Sequence, residues 1–371
     1  MPTILRNEGV KIELITSLVA ILVLPWALKF LWAPLVDSLK SQKHGFRGWI
    51  LGSQAIMGIA LAPLIFISPV GNLDYWALFL LLHALAAATQ DVSIDALVIN
   101  VVTEKERGIL NGYMLAGMLV GRSVFGGGAL LMMTEFGLST VFILLIASIF
   151  ITMLLLAFVK EPIYLKIAES RFKNFVTNLR ESFNKKNTWL AILFALTSAA
   201  AFETAGALAG PFLTDKNVSE KTIGFFYAIP VVVAMLLGGL SGGRLSDRFS
   251  RKRSVTIFLA GFVISVIVIA LVNLSSPVID PIYYIIGFSV MYFFVGMFTA
   301  SSYALFMDLT NPKLGATQFS TYMSATNGCE VWTVWAAGRI TGLWDYSHAF
   351  LVMGLVSLLS LIVLKSIRMK K

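Results

Sequence analysis

Ionised side chains that interrupt long apolar runs are the residues of this chain best placed to do chemistry. They are Lys29, Asp91, Asp95, Arg122, Glu203, Glu330 and Arg339. An ionised group inside an apolar layer costs several kcal/mol unless it meets water or a partner of opposite charge. We therefore expect these side chains to face a polar cavity, where they bind a charged solute or a proton, or to pair with one another.

Asp91 and Asp95 stand four residues apart, so a helix would place both carboxylates on one face, about one turn apart. Two such carboxylates repel each other, and a proton bound by one of them relieves the repulsion. The preceding Gln90 could bind a polar solute. The alternative is that both carboxylates pair statically with Lys29 or Arg122 and only hold helices together.

The remaining charges each allow two interpretations. Arg122 offers a planar guanidinium suited to a carboxylate or phosphate, or it is the structural partner of Asp91 and Asp95. Glu203 lies among alanines with no cation beside it and is the strongest single candidate for a protonatable or solute-contacting group. Glu330 either faces a cavity or packs statically, and it stands too far from Arg339 on a helix to face it. Lys29 either contacts solute or extends towards the membrane surface.

Long helical spans must position these residues. Hydrophobic residues make up 57% of the 371 residues and charged residues 13%, against roughly 25% charged residues in soluble domains. The apolar runs are long and continuous, unlike the alternating segments of membrane barrels. We predict an all-α, polytopic membrane protein with eleven spans, at 12–36, 49–68, 75–100, 109–134, 139–159, 188–213, 222–244, 254–273, 281–306, 317–342 and 347–365.

The loops between these spans alternate between loops rich in Lys and Arg and loops with almost no Lys or Arg beyond Lys216 and Lys221. Basic loops stay in the cytoplasm, so this alternation predicts a cytoplasmic C-terminus, and it explains the net charge of +9 without nucleic acid. The longest loop, 161–187, reads as a basic amphipathic helix on the inner membrane surface, or else as a plain solvated linker. It separates an N-terminal half, 1–160, from a C-terminal half, 188–371.

The two halves carry a weak internal repeat. Residues 210–218 (GPFLTDKNV) precede a span and then Asp247, and residues 1–10 (MPTILRNEGV) precede a span and then Asp37. The second half has a further span, 188–213, before its copy, whereas the first half has none. We therefore expect eleven of twelve helices. The first helix would be absent either because the start of the sequence was assigned too far downstream or because the protein is naturally truncated. Two parallel halves around a central cavity is a plan known among transporters.

Residues 242–253 (GGRLSDRFSRKR) resemble the signature loop of the major facilitator superfamily. The first-half copy is degenerate and keeps only Asp37, Gly45 and Arg47. The resemblance implies a major facilitator fold with two pseudo-symmetric halves, in which charges of this loop pair at the inner face and gate the conformational change. The residues that match this role are Asp37, Arg47, Asp247, Arg248 and Arg251. Alternatively, the basic residues of 251–253 only anchor the topology.

Four further segments resemble the AmpG-type permeases and the related acetyl-coenzyme A transporters. They are 28–37 (LKFLWAPLVD), 88–96 (ATQDVSIDA), 106–108 (ERG) and 307–312 (MDLTNP) with 316–318 (ATQ). Permeases for the siderophores rhizobactin and pyochelin are also similar, over 25–34. This resemblance implies a monomeric secondary transporter of the bacterial inner membrane that moves an organic solute, such as a muropeptide or similar anionic or glycosylated metabolite, together with protons.

Other functions are less well supported by the sequence. There is no phosphate-binding loop ending in Gly-Lys-Ser/Thr, and His44, His83 and His348 lack metal-ligand spacing, so we expect no enzyme activity, cofactor or metal. A siderophore permease and an acetyl-coenzyme A permease remain open alternatives. So does a non-transporting sensor or truncated remnant, since the absent first helix would line the cavity.

Overall fold

The computed structural model describes residues 1–38, 45–69, 71–101, 117–159, 184–276, 279–310 and 315–368. These residues form helices joined by short turns, and none of them lies in a β-strand. In chain order the α-helices are α1 (Pro2–Asn7), α2 (Ile12–Leu28), α3 (Ala33–Ser38), α4 (Gly45–Leu61), α5 (Leu73–Val101), α6 (Gly128–Phe136), α7 (Leu138–Ala157), α8 (Lys186–Ser198), α9 (Ala200–Asp215), α10 (Glu220–Ala228), α11 (Pro230–Arg248), α12 (Arg251–Ser275), α13 (Ile282–Leu309), α14 (Gly315–Leu343) and α15 (Tyr346–Ser366).

Ten helical stretches in the described residues are long and apolar enough to cross a membrane. They coincide with ten of the eleven predicted spans. The eleventh, predicted at 317–342, is the continuous helix α14, which is too polar to count by composition because it carries Glu330, Arg339 and many small polar residues. The prediction of an all-α, polytopic membrane protein is therefore confirmed.

The spans predicted at 188–213 and 222–244 are both present, and a local break divides each of them into two α-helices. The span predicted at 222–244 breaks at Ile229, because Pro230 has no backbone N–H and begins a new helix. The span predicted at 188–213 breaks at Ala199. No proline causes that break, and it is stabilised instead by side chains of two neighbouring helices.

The break at Ala199 leaves one carbonyl and one amide without their usual partners inside the helix. The indole Nε1 of Trp332 on α14 donates to the Leu196 carbonyl over 2.8 Å. The backbone N–H of Ala201 donates to Ser357 Oγ on α15 over 2.9 Å. Every backbone group within a bilayer needs a partner, so these two bonds make the break tolerable there.

The helices pack as two groups. One group contains residues 1–27 and the described residues from 184 onward, and the other contains the described residues from 28 to 159. In the first group α11 and α13 cross at glycines. A Cβ atom at Gly238 or Gly242 would collide with the backbone of α13, and one at Gly296 would lie 2.9 Å from the Gly239 nitrogen. This is the close approach that small residues permit in membrane helices.

One basic residue occupies the same structural role in each half of the sequence. Arg47, near the start of α4, donates to backbone carbonyls at the end of α7, including that of Val159. Lys252, near the start of α12, donates to carbonyls at the end of α15, including that of Ile367. Each cation thereby satisfies the unpaired carbonyls of a helix C-terminus. The recurrence agrees with the predicted pseudo-symmetric halves.

Some predicted features lie outside the described residues. The loop predicted as an amphipathic helix, 161–187, is described only from 184. The side chains of Asp37 and Asp247 also lie outside the description, although their backbones belong to α3 and α11.

Candidate functional site

A turn of 3-10 helix, Lys29–Leu31, interrupts the span predicted at 12–36 and positions Lys29. The α-helical bonds of α2 end at Leu28, and the Trp32 N–H bonds back to the Lys29 carbonyl at 3.3 Å before α3 begins. Trp32 packs against the buried pair Val36 and Val92, so the turn is held on α5. Short 3-10 segments within longer helices often mark functional positions.

Lys29 contacts both carboxylates of α5. Its Nζ atom donates to Asp91 Oδ2 over 2.6 Å and lies 3.7 Å from Asp95 Oδ2. The Lys29 side chain is 13% exposed, against 40% for Asp91 and 49% for Asp95. The ammonium is therefore shielded while both carboxylates reach open space. The three groups carry one positive and two negative formal charges, so one further cation would neutralise them.

Two buried polar atoms in the segments that carry Lys29 and Asp91 have no hydrogen-bond partner among the described residues. They are the amide oxygen Oε1 of Gln90 and the indole Nε1 of Trp32. Gln90 directly precedes Asp91, and Trp32 follows Lys29 by three residues. Buried polar atoms are almost always paired. One acceptor and one donor are thus available to a bound solute or to water.

Arg122 is not the cation that pairs with Asp91 and Asp95 in the described contacts, because that cation is Lys29. The Arg122 side chain is exposed on its helix. It stands directly before a π-helical turn, Ser123–Gly127. Such turns are rare and recur at functional sites. A solute-binding role for Arg122 stays a prediction.

Glu203 and Glu330 belong to the other group of helices. Glu203 lies in the first turn of α9, four residues after the break at Ala199, and is half-buried. Glu330 is half-buried on α14 beside the buried Cys329. Arg339, farther along α14, is exposed and stacks over the Trp335 ring at 5.1 Å.

The predicted gating residues lie at helix ends. Arg251, at the start of α12, donates from Nε to Asp308 Oδ2 and from Nη1 to Ser246 Oγ, each at 3.2 Å. These bonds connect the start of α12 with the ends of α13 and α11. Arg47 binds the end of α7, and Arg248 is exposed at the end of α11.

Sequence reasoning missed Asp308 as the partner of Arg251. The place of Asp308 at a helix end beside the basic loop at 248–253 was a usable signal.

Comparison with known proteins finds the same architecture. The family model of the Major Facilitator Superfamily matches residues 1–291 and again residues 198–370. Over 354 residues the chain is 29% identical to the anhydromuropeptide permease of Escherichia coli strain K12, covering 90% of this chain and 70% of that protein. It is 22% identical to the putative transporter AmpG 4 of Rickettsia conorii, covering 99% of this chain and 91% of that protein.

Two solved structures share the fold. The D-xylose-proton symporter superposes with a TM-score of 0.76 at 11% identity, covering 96% of this chain and 89% of that one. A mutant of the nucleoside transporter NupG superposes with a TM-score of 0.74 at 13% identity, covering 99% of this chain and 93% of that one. At such identities the likeness concerns the fold alone.

Proposed function

This chain is a transporter of the Major Facilitator Superfamily, and from that premise we propose that it carries an anhydromuropeptide, or a similar anionic or glycosylated metabolite, by alternating access coupled to protons. We place it in the bacterial inner membrane as a monomer, with a cytoplasmic C-terminus. The similarity to the anhydromuropeptide permease of Escherichia coli supports this substrate class.

The contact of Lys29 with Asp91 and Asp95 carries the proposal of proton coupling. Two carboxylates and one ammonium leave an excess negative charge in helices that are otherwise apolar. A proton, or a cationic group of the solute, would remove that excess. Both carboxylates are partly exposed, so a proton can reach them. In the proposed mechanism the proton binds at Asp91 or Asp95 and leaves after the solute has crossed.

In the proposed mechanism, solute binding uses the unpaired atoms of Gln90 and Trp32 together with Lys29. A sugar or peptide offers hydroxyl, amide and carboxylate groups that match the Trp32 indole N–H, the Gln90 carbonyl and the ammonium of Lys29. Arg122 would add a bidentate donor for a carboxylate. Glu203 and Glu330 are proposed as further groups for solute binding or proton coupling.

The gating role proposed for the inner-end residues rests on the bonds of Arg251 and on the family resemblance. The contacts of Arg251 with Asp308 and Ser246 stabilise the arrangement in which the ends of α11, α12 and α13 are held together. We propose that these bonds favour one state of the transport cycle. Asp37, Arg47, Asp247 and Arg248 are proposed to act at the same membrane face.

Uptake into proteoliposomes tests the proposed function. A radiolabelled anhydromuropeptide should accumulate when the outside is acidic and should not accumulate after a protonophore is added. Asp91→Asn should abolish accumulation driven by the proton gradient while leaving exchange of solute across the membrane measurable. Asp74→Asn, in the first turn of the same helix α5, is the matched control and should accumulate solute normally.

The same assay separates the alternative substrates. Acetyl-coenzyme A and a ferric siderophore are offered as competitors and then as labelled probes. Accumulation of either one, without any of the anhydromuropeptide, would replace the proposed substrate class. Accumulation that is indifferent to the protonophore would remove proton coupling, and a lack of transport for all three probes would favour a sensor or remnant.

Glu203 is tested separately. Glu203→Gln should abolish proton-driven uptake, because the amide keeps the shape of the side chain but cannot exchange a proton. Expression and detergent stability should match those of the unmodified protein. Normal accumulation by this variant would exclude Glu203 from the mechanism.

A further inference from the structure

Trp335 and Arg339 form a stacked pair on α14, one helical turn apart. The guanidinium carbon of Arg339 lies 5.1 Å from the centre of the Trp335 ring. Trp335 is nevertheless 47% exposed, and Arg339 is exposed as well. The cation therefore orients the indole through a cation–π contact but leaves much of the ring uncovered.

The guanidinium of Arg339 has no carboxylate partner among the described residues. Glu330 stands nine residues earlier on the same helix, about 13 Å along its axis. Glu13 of α2 lies against Gly342, nearly one turn farther along α14, but no ion pair joins it to Arg339. A charge within a span normally meets a partner or water. The N–H donors of Arg339 are thus available to an anion.

Helix geometry gives the direction in which the stacked pair projects. Gly338 lies against Thr16 of α2, and Trp332 donates to the Leu196 carbonyl of α8. With 3.6 residues in each turn, the stacked pair lies about 60° and 100° around the helix from Gly338, and Trp332 lies at about 120°. The pair therefore faces the space between α2 on one side and α8 with its continuation α9 on the other.

Trp335 stands deeper than a tryptophan that anchors a span at the membrane surface. It precedes the end of α14 at Leu343 by eight residues, about 12 Å along the axis. Anchoring tryptophans lie at the level of the lipid headgroups. Trp344, just beyond the helix end and 65% exposed, occupies that level. Arg339 lies between these two depths, where water and a dissolved solute reach its long side chain.

We propose that the stacked pair is a binding subsite for a sugar that carries a carboxylate. The uncovered part of the Trp335 indole packs against the sugar ring, and the Arg339 guanidinium binds the carboxylate in a bidentate manner. The inference rests on the proposed function and deepens it, because it assigns recognition of the acidic sugar to two residues of α14.

The chemistry of the pair suits such a solute. One face of a sugar ring presents mainly C–H groups, which bury well against an aromatic ring, while the hydroxyl groups at its rim stay hydrated. The guanidinium fork matches the planar geometry of a carboxylate. At 5.1 Å, the two groups are close enough for one sugar with a carboxyl-bearing substituent to contact both.

Equilibrium binding to the purified protein in detergent tests the subsite. The probes are radiolabelled N-acetylmuramic acid, an amino sugar with one carboxylate, and its uncharged methyl ester. Arg339→Gln should weaken binding of the acid by about tenfold or more, because a charge-assisted contact is lost. It should leave binding of the ester unchanged, and this unchanged affinity shows that the variant is folded.

The tryptophan is tested with the same two probes. Trp335→Ala should weaken binding of the acid and of the ester alike, by about fivefold, because both contain the sugar ring. Trp335→Phe, which keeps a smaller ring, should lose less. Trp344→Phe and Arg253→Gln are the matched controls, since both residues are exposed and lie elsewhere, and they should bind both probes normally.

The outcomes separate the subsite from the proposed function. Unchanged binding of the acid in Arg339→Gln and Trp335→Ala, or an equal loss of acid and ester in Arg339→Gln, would overturn the subsite. So would a failure of the unmodified protein to bind either probe, and proton-driven uptake of the anhydromuropeptide would then still support the function. A loss confined to the acid in Arg339→Gln, in a protein that does not accumulate the anhydromuropeptide, would support the subsite and count against the proposed function.

Discussion

The ammonium of Lys29 is shared unequally between two carboxylates, lying 2.6 Å from Asp91 Oδ2 and 3.7 Å from Asp95 Oδ2. Asp91 therefore accepts a direct charge-assisted hydrogen bond, whereas Asp95 experiences mainly the field of the same cation. The static and functional interpretations of these residues are compatible, since a pair that holds two elements together can also release one carboxylate to a proton.

Asp91→Asn should destabilise the protein more than Asp95→Asn. Loss of the bonded carboxylate should lower the free energy of unfolding by about 1 kcal/mol, because a charge-assisted bond is replaced by a neutral one in a partly exposed setting. Loss of Asp95 should change it by less than about 0.5 kcal/mol. Thermal unfolding in detergent measures both, and the reverse order would contradict the assignment of Asp91 as the main partner of Lys29.

Gly242→Leu should be strongly destabilising, because any Cβ atom there collides with the Met297 backbone of α13. Forcing α11 and α13 apart should cost about 1–3 kcal/mol. The matched control is Gly243→Leu, because the space around that position is open among the described residues. Thermal unfolding of both variants is the measurement. If both variants lost the same thermal stability, the close crossing of α11 and α13 would not be the reason that position 242 requires glycine.

Ser357→Ala should destabilise the break at Ala199. It would leave the Ala201 amide without its partner in an apolar layer, a loss of about 1–3 kcal/mol. Ser360 provides the comparison, because its hydroxyl donates to the Ser357 carbonyl within the same helix and forms no other hydrogen bond among the described residues. Ser360→Ala should be nearly neutral, and hydrogen exchange at Ala201 should accelerate in Ser357→Ala alone.

Asp345 begins α15 as its N-cap, accepting from the His348 backbone N–H and ring at 2.9 Å. Burial acts to raise the pKa of Asp345, but these hydrogen bonds outweigh it and lower the pKa below its usual value. The N-cap therefore contributes its full share of the unfolding free energy at pH values above the pKa of Asp345 in the unfolded chain, about 3.9. This contribution is lost as the pH falls through the lower pKa of Asp345 in the folded protein.

Asp345→Ala should consequently lose about 1 kcal/mol of unfolding free energy at pH 7. The difference from the unmodified protein should persist at pH 5 and shrink below about pH 4. Asp345→Asn, which retains a capping oxygen, should lose much less. Unfolding measured across this pH range would contradict the assignment if the alanine variant differed equally at every pH.

Local periodicity accounts for what the sequence predicted well. Apolar runs located the spans, and the spacing of Asp91 and Asp95 placed both on one face, because helix geometry depends only on nearby residues. The partner of these carboxylates was left open between Lys29 and Arg122. In the structure the partner is Lys29, and hydropathy does not reveal the turn at Lys29–Leu31 that positions it.

Contacts between distant segments explain what sequence reasoning missed. The break at Ala199 depends on Trp332 and Ser357, which stand more than 130 residues away. The attachment of Arg6 to Asp215 spans 209 residues. No periodic pattern encodes such pairs. The aligned repeat of residues 1–10 with 210–218 did indicate that both segments lie at the same depth in the membrane.

The interrupted helix at Ala199 also has a mechanical meaning. Its loose carbonyl is held by α14 and its loose amide by α15, so side chains of two neighbouring helices fix the bend. Glu203 stands one turn beyond this joint. The orientation of this acid therefore depends on where α14 and α15 lie, and both freed backbone groups of the bend are paired.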